Sequence, residues 1–297
     1  PSAKITAAIS QEDIAGLKHL LPNIQALMNE GRVEPALRLF GDPPIPLIYD
    51  LDFVRIFLPP GVTLPHVKIS RDSDVQERVA RERAELKLFL GKNPEGFVPG
   101  GGSLTMPICE LLKKRGFGWT AGNFPDSEWG EGAVLRLDLD ASPFTVFKVS
   151  SLSNRFHRAE TQPCVWDRNQ SEQVFAEIER LNAAGILPAL ILDESRSCVK
   201  LDDLLSHFFS RELTPGKPEM ELMSDTVKDY GKLTTVSSLQ VWPFSWNWIR
   251  GPEPGLTSWI GSAQKNAAWE SYVKTRLDVD RYKNSGSADL AVLDQAM

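Results

Sequence analysis

Two acidic residues, Asp193 and Glu194, follow the apolar segment LPALILD (residues 187–193), which has the composition of a buried strand. In a β/α protein the carboxyl ends of parallel strands form the edge at which ligands bind. A carboxylate at that place is therefore a candidate group for catalysis or substrate binding. The structural alternative is an acidic residue that caps a following helix, expected at residues 200–212.

The densest aromatic segment lies near the end of the chain. Its members are Trp242, Phe244, Trp246, Trp248, Trp259 and Trp269. Tryptophan rings on loops can stack on the apolar faces of sugar rings, which makes Trp246 and Trp259 candidates for carbohydrate binding. Packing inside the protein is the alternative for both, and Trp269, on a predicted amphipathic helix, is expected in the core.

The segment PEGFVPGGGSL (residues 94–104) predicts a short strand that continues through Gly100, Gly101 and Gly102 into a helix. A β/α protein carries its site at such a junction, yet three glycines offer no side chain for chemistry. Their free N–H groups could hold an anion at the helix start. A tight turn that uses the conformational freedom of glycine is the alternative.

Motifs that bind metals or cofactors are absent from the sequence. The four histidines, none spaced as in a zinc site, are His19, His66, His157 and His207. P-loop, dinucleotide-binding and nucleophile-elbow motifs are also absent. We therefore expect no catalytic metal and no cofactor. The three cysteines are typical of a reducing compartment, which predicts a cytoplasmic location.

The bulk composition of the 297 residues is that of a globular protein, with 42% hydrophobic and 24% charged residues. The formal net charge of −6 argues against nucleic acid as a partner. No apolar run approaches the roughly 20 residues that cross a bilayer, so no membrane association is predicted.

Strand and helix patterns alternate along the chain with short connections, which predicts a parallel sheet or barrel. Strands are expected at residues 32–39, 96–98, 117–121, 144–149, 187–193 and 236–242, and helices at 10–29, 72–90, 104–115, 171–184, 200–212, 219–229 and 262–277. The proline-rich segments 42–52 and 57–65 are expected to be irregular loops packed on the domain. The many charges of residues 72–90 are expected to face water.

Five segments, in this order, resemble motifs of glycoside hydrolase family 57 (GH57), whose members act on α-glucans. They are GRVEPALRLFGDPPIPLIYDLDFVRIFLPPGVTLPHVKIS (31–70), PEGFVPGGGS (94–103), FKVSSLSN (147–154), LDESR (192–196) and FSWNWIRGPEPGLTSWIGSAQKNAAW (244–269). The resemblance covers nearly the whole chain, and the order of the segments is more specific than any one of them.

The resemblance implies an α/β fold, an incomplete (β/α)7-type barrel of parallel strands with a C-terminal helical region. Residues 1–212 would form the barrel portion without its N-terminal strand. Residues 213–297 would supply the last strand, the aromatic loop and the start of the helical region, as in a piece of a longer chain. A barrel that lacks a strand exposes an edge, which a partner chain could cover.

GH57 enzymes retain the configuration of the sugar, which requires two carboxyl groups roughly 5 Å apart. Matched residue by residue, the nucleophile falls on Gly101, the two aspartates of the third segment on Val149 and Asn154, and a histidine on or near Asp42. Because both matched carboxylates are replaced, weak or absent activity is expected. The residues left to bind substrate are Glu34, Trp119, Asp193, Glu194, Trp246 and Trp259.

The expected function is that of a GH57-like protein related to α-glucan hydrolases and transglycosylases, with an α-glucan or maltooligosaccharide as its ligand. One alternative is a non-catalytic glucan-binding or scaffolding protein on the same barrel. Another is a barrel of the polysaccharide-deacetylase type, which would require a metal.

Overall fold

A computed structural model of the chain describes residues 11–55, 58–122, 134–139, 142–149, 168–186, 188–190, 221–229, 234–236 and 255–285, together with Ser206, Ser210 and Asp289. The helices within these residues are α1 (Gln11–Asn29), α2 (Ile45–Tyr49), α3 (Leu51–Arg55), α4 (Asp72–Leu90), α5 (Met106–Lys114), α6 (Arg168–Ala183), α7 (Met223–Asp229) and α8 (Ala263–Lys283). The strands are β1 (Ala36–Leu37), β2 (Gly96–Phe97), β3 (Trp119–Gly122), β4 (Val134–Leu139), β5 (Ser142–Lys148) and β6 (Thr234–Val236).

The described strands form one sheet in the order β1-β2-β3-β5-β4-β6. β1, β2, β3 and β5 run parallel to one another. β4 runs antiparallel to β5, and β6 runs parallel to β4. The predicted α/β class is confirmed and most of the strand pairs are parallel, but the expectation of parallel strands throughout is wrong. Closure into a barrel stays a prediction, as does a partner chain at its edge.

The reversal of direction originates at β4, a strand that we did not predict. Its sequence, VLRLDL, alternates apolar and polar residues, which is the pattern of a strand with one buried face. Two residues, 140–141, separate it from β5 in the sequence. A connection that short can join only antiparallel strands, because a parallel pair needs a long crossover.

Most predicted helices are confirmed within a few residues, and α4 spans residues 72–90 as expected. The prediction of irregular structure at 42–52 is wrong, because α2 lies inside this segment and α3 begins there. Prolines are compatible with α2 because Pro44 precedes it and Pro46 lies in its first turn, where an N–H has no helical partner. Ile45 and Leu47 are buried, so the expected packing of this segment on the domain is confirmed.

Apolar side chains cover both faces of the sheet. On one face the strands pack beneath α4 and α5 around Phe97, Ile108 and Val146. On the other face Trp119, Ala121, Phe147 and Val149 form a second cluster, against which Met223 and Val227 of α7 pack. A third cluster joins α2 and α3 to α8; its buried members are Leu47, Leu51, Ile69, Leu256, Ile260 and Val273.

The charges of α4 do not all face water, which corrects our expectation for this helix. Arg83 donates hydrogen bonds to the carbonyl oxygens of Arg115 and, at 3.0 Å, of Gly116. Its guanidinium lies 4.5 Å from the centre of the Phe117 ring. Desolvation lowers the pKa of Arg83. Long polar side chains of α4 therefore fasten the helix to the loop that leads into β3.

None of the described helices is both long enough and apolar enough to cross a bilayer.

Candidate functional site

The carboxyl ends of β1, β2, β3 and β5 lie at one edge of the sheet, because these strands are parallel. At this edge β2 continues through Val98 and Pro99 into a 3₁₀ turn, Gly100–Gly102, and then into α5. The junction is held from both sides, since Phe97 before it and Leu104 after it are almost fully buried. The predicted strand–glycine–helix junction is confirmed.

The glycines of this junction are required by its geometry. Gly101 has φ 62° and ψ 11°, in the left-handed region that side chains disfavour. A β-carbon on Gly100 would lie 2.9 Å from the carbonyl carbon and oxygen of Asp42. The loop that follows β1 therefore packs directly on the junction that follows β2.

Asp42 is a charged group at this edge, which the resemblance matched to a histidine of the family but which was not among the predicted substrate-binding residues. Its φ of 47° is positive, alone among the non-glycine residues that the structure describes. Its carboxylate accepts two hydrogen bonds from Arg38, one of them from Nε at 2.6 Å. Both side chains are partly exposed, 36% for Arg38 and 41% for Asp42. The sequence contained a local signal for this turn, because GDPP directly after a strand is a typical turn sequence.

Val149 lies at the same edge, one residue beyond β5. It is 4% exposed and belongs to the apolar cluster around Trp119 and Phe147. Its N–H donates to the carbonyl of Gly122 at 2.9 Å. A carboxylate at this position would be buried among apolar side chains. The preceding residue, Lys148, is only 1% exposed and interacts with its surroundings. Lysine is rarely buried in proteins. Here the strand sequence FTVFKV places it between the apolar residues Phe147 and Val149.

Trp119 is placed in the interior rather than on an open surface. Its ring covers Gly96, so that a β-carbon there would lie 2.0 Å from the ring, and meets Phe147 edge-to-face at 5.8 Å. The side chain is 4% exposed, and its Nε1 has no hydrogen-bond partner among the described residues. A sugar could stack on this ring only if the apolar cluster opened. The substrate-binding role of Trp119 stays a prediction.

Glu34 lies at the opposite edge of the sheet from the glycine junction, because it precedes β1 in the chain. Its Oε1 accepts a hydrogen bond of 3.1 Å from the backbone N–H of Ser224, at the start of α7. Glu34 is thus separated from Gly101 by the length of the strands, and its carboxylate binds the start of α7. Its predicted role towards substrate is not tested by this contact.

Trp259 is an exposed aromatic residue, 44% accessible, on a segment that is firmly held. Its carbonyl accepts a hydrogen bond of 2.9 Å from Nε1 of Trp269. Nearby, Asn266 accepts from the N–H of Gly261 at 3.0 Å and donates to the carbonyl of Thr63 at 2.9 Å. Trp269 packs on the apolar cluster of α8, as expected for a core residue.

Four of the predicted site residues, Asn154, Asp193, Glu194 and Trp246, lie outside the described residues. Within the described part of the chain, no three His, Cys, Asp or Glu side chains come close enough together to hold a metal ion. The described part of the site is therefore the edge formed by Arg38, Asp42, Gly100–Gly102 and Val149, with Trp259 as a separate exposed ring.

No protein-family model and no curated protein sequence matches the chain. Solved structures do match it. A GH57-type branching enzyme from Pyrococcus horikoshii gives a TM-score of 0.65 at 12% sequence identity, over 95% of this chain and 60% of that one. A GH57 branching enzyme from Thermococcus kodakaraensis, in complex with glucose, gives 0.59 at 12% identity, over 91% and 58%. The α-amylase AmyC from Thermotoga maritima gives 0.57 at 8% identity, over 94% and 61%.

The chain thus spans about three fifths of the length of each of these structures. At such low identity the likeness concerns the fold and not the individual site residues. It agrees with the resemblance seen in the motif order. We conclude that the fold of this chain is similar to that of the GH57 enzymes that process glucans.

Proposed function

We propose that the chain is a GH57-like protein that binds an α-glucan or maltooligosaccharide and has little or no hydrolytic or transferase activity. The observation that carries the proposal is the chemistry of the carboxyl edge of the sheet. The position matched to the nucleophile, Gly101, has no side chain, and Val149, matched to an aspartate, is an aliphatic residue buried in an apolar cluster.

The argument against catalysis is chemical. A retaining glycosidase needs one carboxylate as nucleophile and a second carboxyl group as acid and base, about 5 Å apart. Asp42 is a carboxylate at this edge, but it is paired with Arg38 and cannot fill both roles. Each missing group lowers the rate by orders of magnitude.

The argument for glucan binding combines the fold with exposed aromatic residues. Solved structures with a similar fold include a GH57 branching enzyme in complex with glucose, a second GH57-type branching enzyme and an α-amylase. Trp259 offers an open ring on a rigid backbone. We propose that Trp259, together with Trp246, Asp193 and Glu194 of the aromatic and acidic segments, contacts the sugar.

Calorimetric titration with maltoheptaose tests binding. On the same samples a reducing-end assay tests hydrolysis, and chromatography of the product chain lengths tests transfer, which creates no net reducing end. We expect binding without turnover. Trp259→Ala should weaken binding at least fivefold because a stacking surface is lost. The matched control is Leu277→Ala on α8, which removes an apolar side chain of similar exposure, 43%, and should leave the affinity unchanged.

Efficient release of reducing ends, or conversion of maltoheptaose into chains of other lengths, would contradict the proposed loss of catalysis. Failure of maltoheptaose and longer amylose to bind would contradict glucan binding. Equal affinities of the wild type and Trp259→Ala would exclude the aromatic contact at this position.

A further inference from the structure

A cavity of ≈ 170 Å³ lies between α4, α8 and the loop that leads from β1 into α2. Its walls are lined by Leu39, Pro43, Ile45, Ile48, Asp74, Val75, Glu77, Arg78, Arg81, Tyr272 and Arg276. For comparison, an engineered protein cavity of roughly 150 Å³ binds benzene. The cavity has the size of a single ring with a small substituent.

The lining has two chemical parts. Aliphatic side chains of the loop and α2, with Val75 of α4, form an apolar wall. The remainder carries three arginines and two carboxylates on a chain whose overall net charge is −6. The cavity therefore combines an apolar surface with an excess of positive charge, opposite in sign to the charge of the whole chain.

Most of these charges already have partners. Asp74 accepts two hydrogen bonds, of 2.7 and 2.8 Å, from Arg276. Arg78 donates to Glu82 at 2.7 Å and to the carbonyl of Phe40. Both charges are thus paired, although Nη1 of Arg276 is a buried nitrogen with no hydrogen-bond partner among the described residues.

Arg81 is the exception among the arginines of the cavity. No hydrogen bond or ion pair joins it to another of the described residues, although its side chain is only partly exposed. Glu77, one turn earlier on α4, is exposed to solvent, which screens its charge. Arg81 thus lines the cavity, together with the apolar wall, without a partner among the described residues.

Tyr272 is a second lining residue with a hydrogen-bond donor, its phenolic hydroxyl. Its ring packs edge-to-face on Trp269 at 5.8 Å, which fixes its direction. Burial, and then the negative charge of Asp74, raise the pKa of Tyr272, so the hydroxyl keeps its proton at neutral pH. A guanidinium and a phenolic O–H are the donors that a carboxylate accepts from most readily.

We propose that this cavity binds a small apolar carboxylate. The ring or alkyl part of the ligand lies on the aliphatic wall, and its carboxylate accepts hydrogen bonds from Arg81 and Tyr272. The ligand site is separate from the proposed glucan site and does not depend on it.

Titration of the full chain with sodium benzoate, followed by calorimetry and by NMR chemical shifts, tests this proposal. We expect a dissociation constant on the order of 1 mM, the scale for a ligand of this size. Benzamide has the same ring and no charge, and should bind at least tenfold more weakly. Shifts should concentrate at residues 39–48, 74–81 and 272–276.

Two variants test the donors. Arg81→Gln should weaken benzoate binding at least tenfold, and Tyr272→Phe, which keeps the ring, about threefold. Arg281→Gln is the matched control, because this arginine of α8 is 77% exposed, and it should leave benzoate binding unchanged. Thermal melts of all three variants establish that they are folded.

Equal binding of benzoate and benzamide would overturn the proposal, as would unchanged affinity in Arg81→Gln. Binding whose shifts lie elsewhere in the chain, or no binding at 20-fold the expected constant, roughly 20 mM, would overturn it too.

Discussion

The backbone of Asp42 lies against the α-carbon of Gly100, so closely that a β-carbon on residue 100 would come within 2.9 Å of the carbonyl group of Asp42. Asp42 itself adopts a positive φ of 47°, which costs a non-glycine residue on the order of 1 kcal/mol. The two loops that follow β1 and β2 are therefore fitted to each other. This contact fixes the backbone of Asp42 against the glycine junction.

Gly100→Ala should destabilise the protein by about 1–3 kcal/mol, because neither backbone atom of Asp42 can move away cheaply. Urea unfolding measures the change. Gly118→Ala is the control, since its new β-carbon would meet only the carbonyl oxygen of Glu95 at 3.8 Å. That change should stay within about 0.5 kcal/mol of zero. Equal losses of stability in the two variants would show that the close contact with Asp42 does not cause the destabilisation.

Gly101→Glu should not create a glycosidase. The left-handed backbone of residue 101 adds about 1 kcal/mol of strain to any side chain. The second carboxyl group is still missing, because Val149 is aliphatic. We expect no release of reducing ends from maltoheptaose above the wild-type level. Turnover in Gly101→Glu that disappears in Gly101→Gln would mean that another carboxyl group of the chain supplies the acid.

Asp74→Asn should destabilise the protein by about 2–3 kcal/mol, because it leaves Arg276 with a partly buried charge. The two side chains are 17% and 14% exposed, and their hydrogen bonds raise the pKa of Arg276. Asp278→Asn, which breaks the exposed pair with Arg281, serves as the control and should cost less than about 1 kcal/mol. The denaturation midpoints of the two variants measure these changes in stability. Similar losses of stability in both variants would contradict the expected difference.

The stability of the protein should fall as the pH rises above 9, in part because of Cys109. Burial raises the pKa of this thiol from 9.0 to about 12, and the charge of Glu110 adds to the effect. The unfolded chain releases the thiol proton first, so stability is lost between these two values. Cys109 contributes at most about 1.4 kcal/mol per pH unit to the decrease of the unfolding free energy with pH.

Unfolding free energies of the wild type and Cys109→Ala, compared between about pH 8 and 10.5, isolate this slope. The difference between the two should shrink as the pH rises. Parallel curves would mean that the thiol is not buried in the folded protein.

The parts of the fold that were predicted correctly have local signals. α4 was predicted over its full length because apolar residues recur at helical spacing in a highly charged segment, at Val75, Val79, Leu86 and Phe89. In the structure the helix ends at Gly91, which has φ 79°. The glycine junction was predicted because an apolar strand runs into residues that only a turn explains.

Features that depend on distant residues were missed. A tryptophan on a strand carries no sign of whether its ring is open or, as for Trp119, buried against Gly96. Glu34 was placed inside a predicted strand, whereas β1 begins two residues later and leaves it at the other edge of the sheet. The role of Asp42 depends on Gly100, 58 positions away in the printed chain.

The third apolar cluster and the Asp74–Arg276 pair join segments that are far apart in the sequence and are therefore synthesised at different times. The paired residues are 202 positions apart. At a synthesis rate of about 5–20 residues per second, α4 waits roughly 10–40 s for its partner helix to be made. During that interval Leu47, Leu51 and Ile69 lack the apolar side chains that later cover them. We therefore expect the nascent chain to be prone to aggregation until α8 is made, and its yield in cells to depend on chaperones more than its final stability suggests.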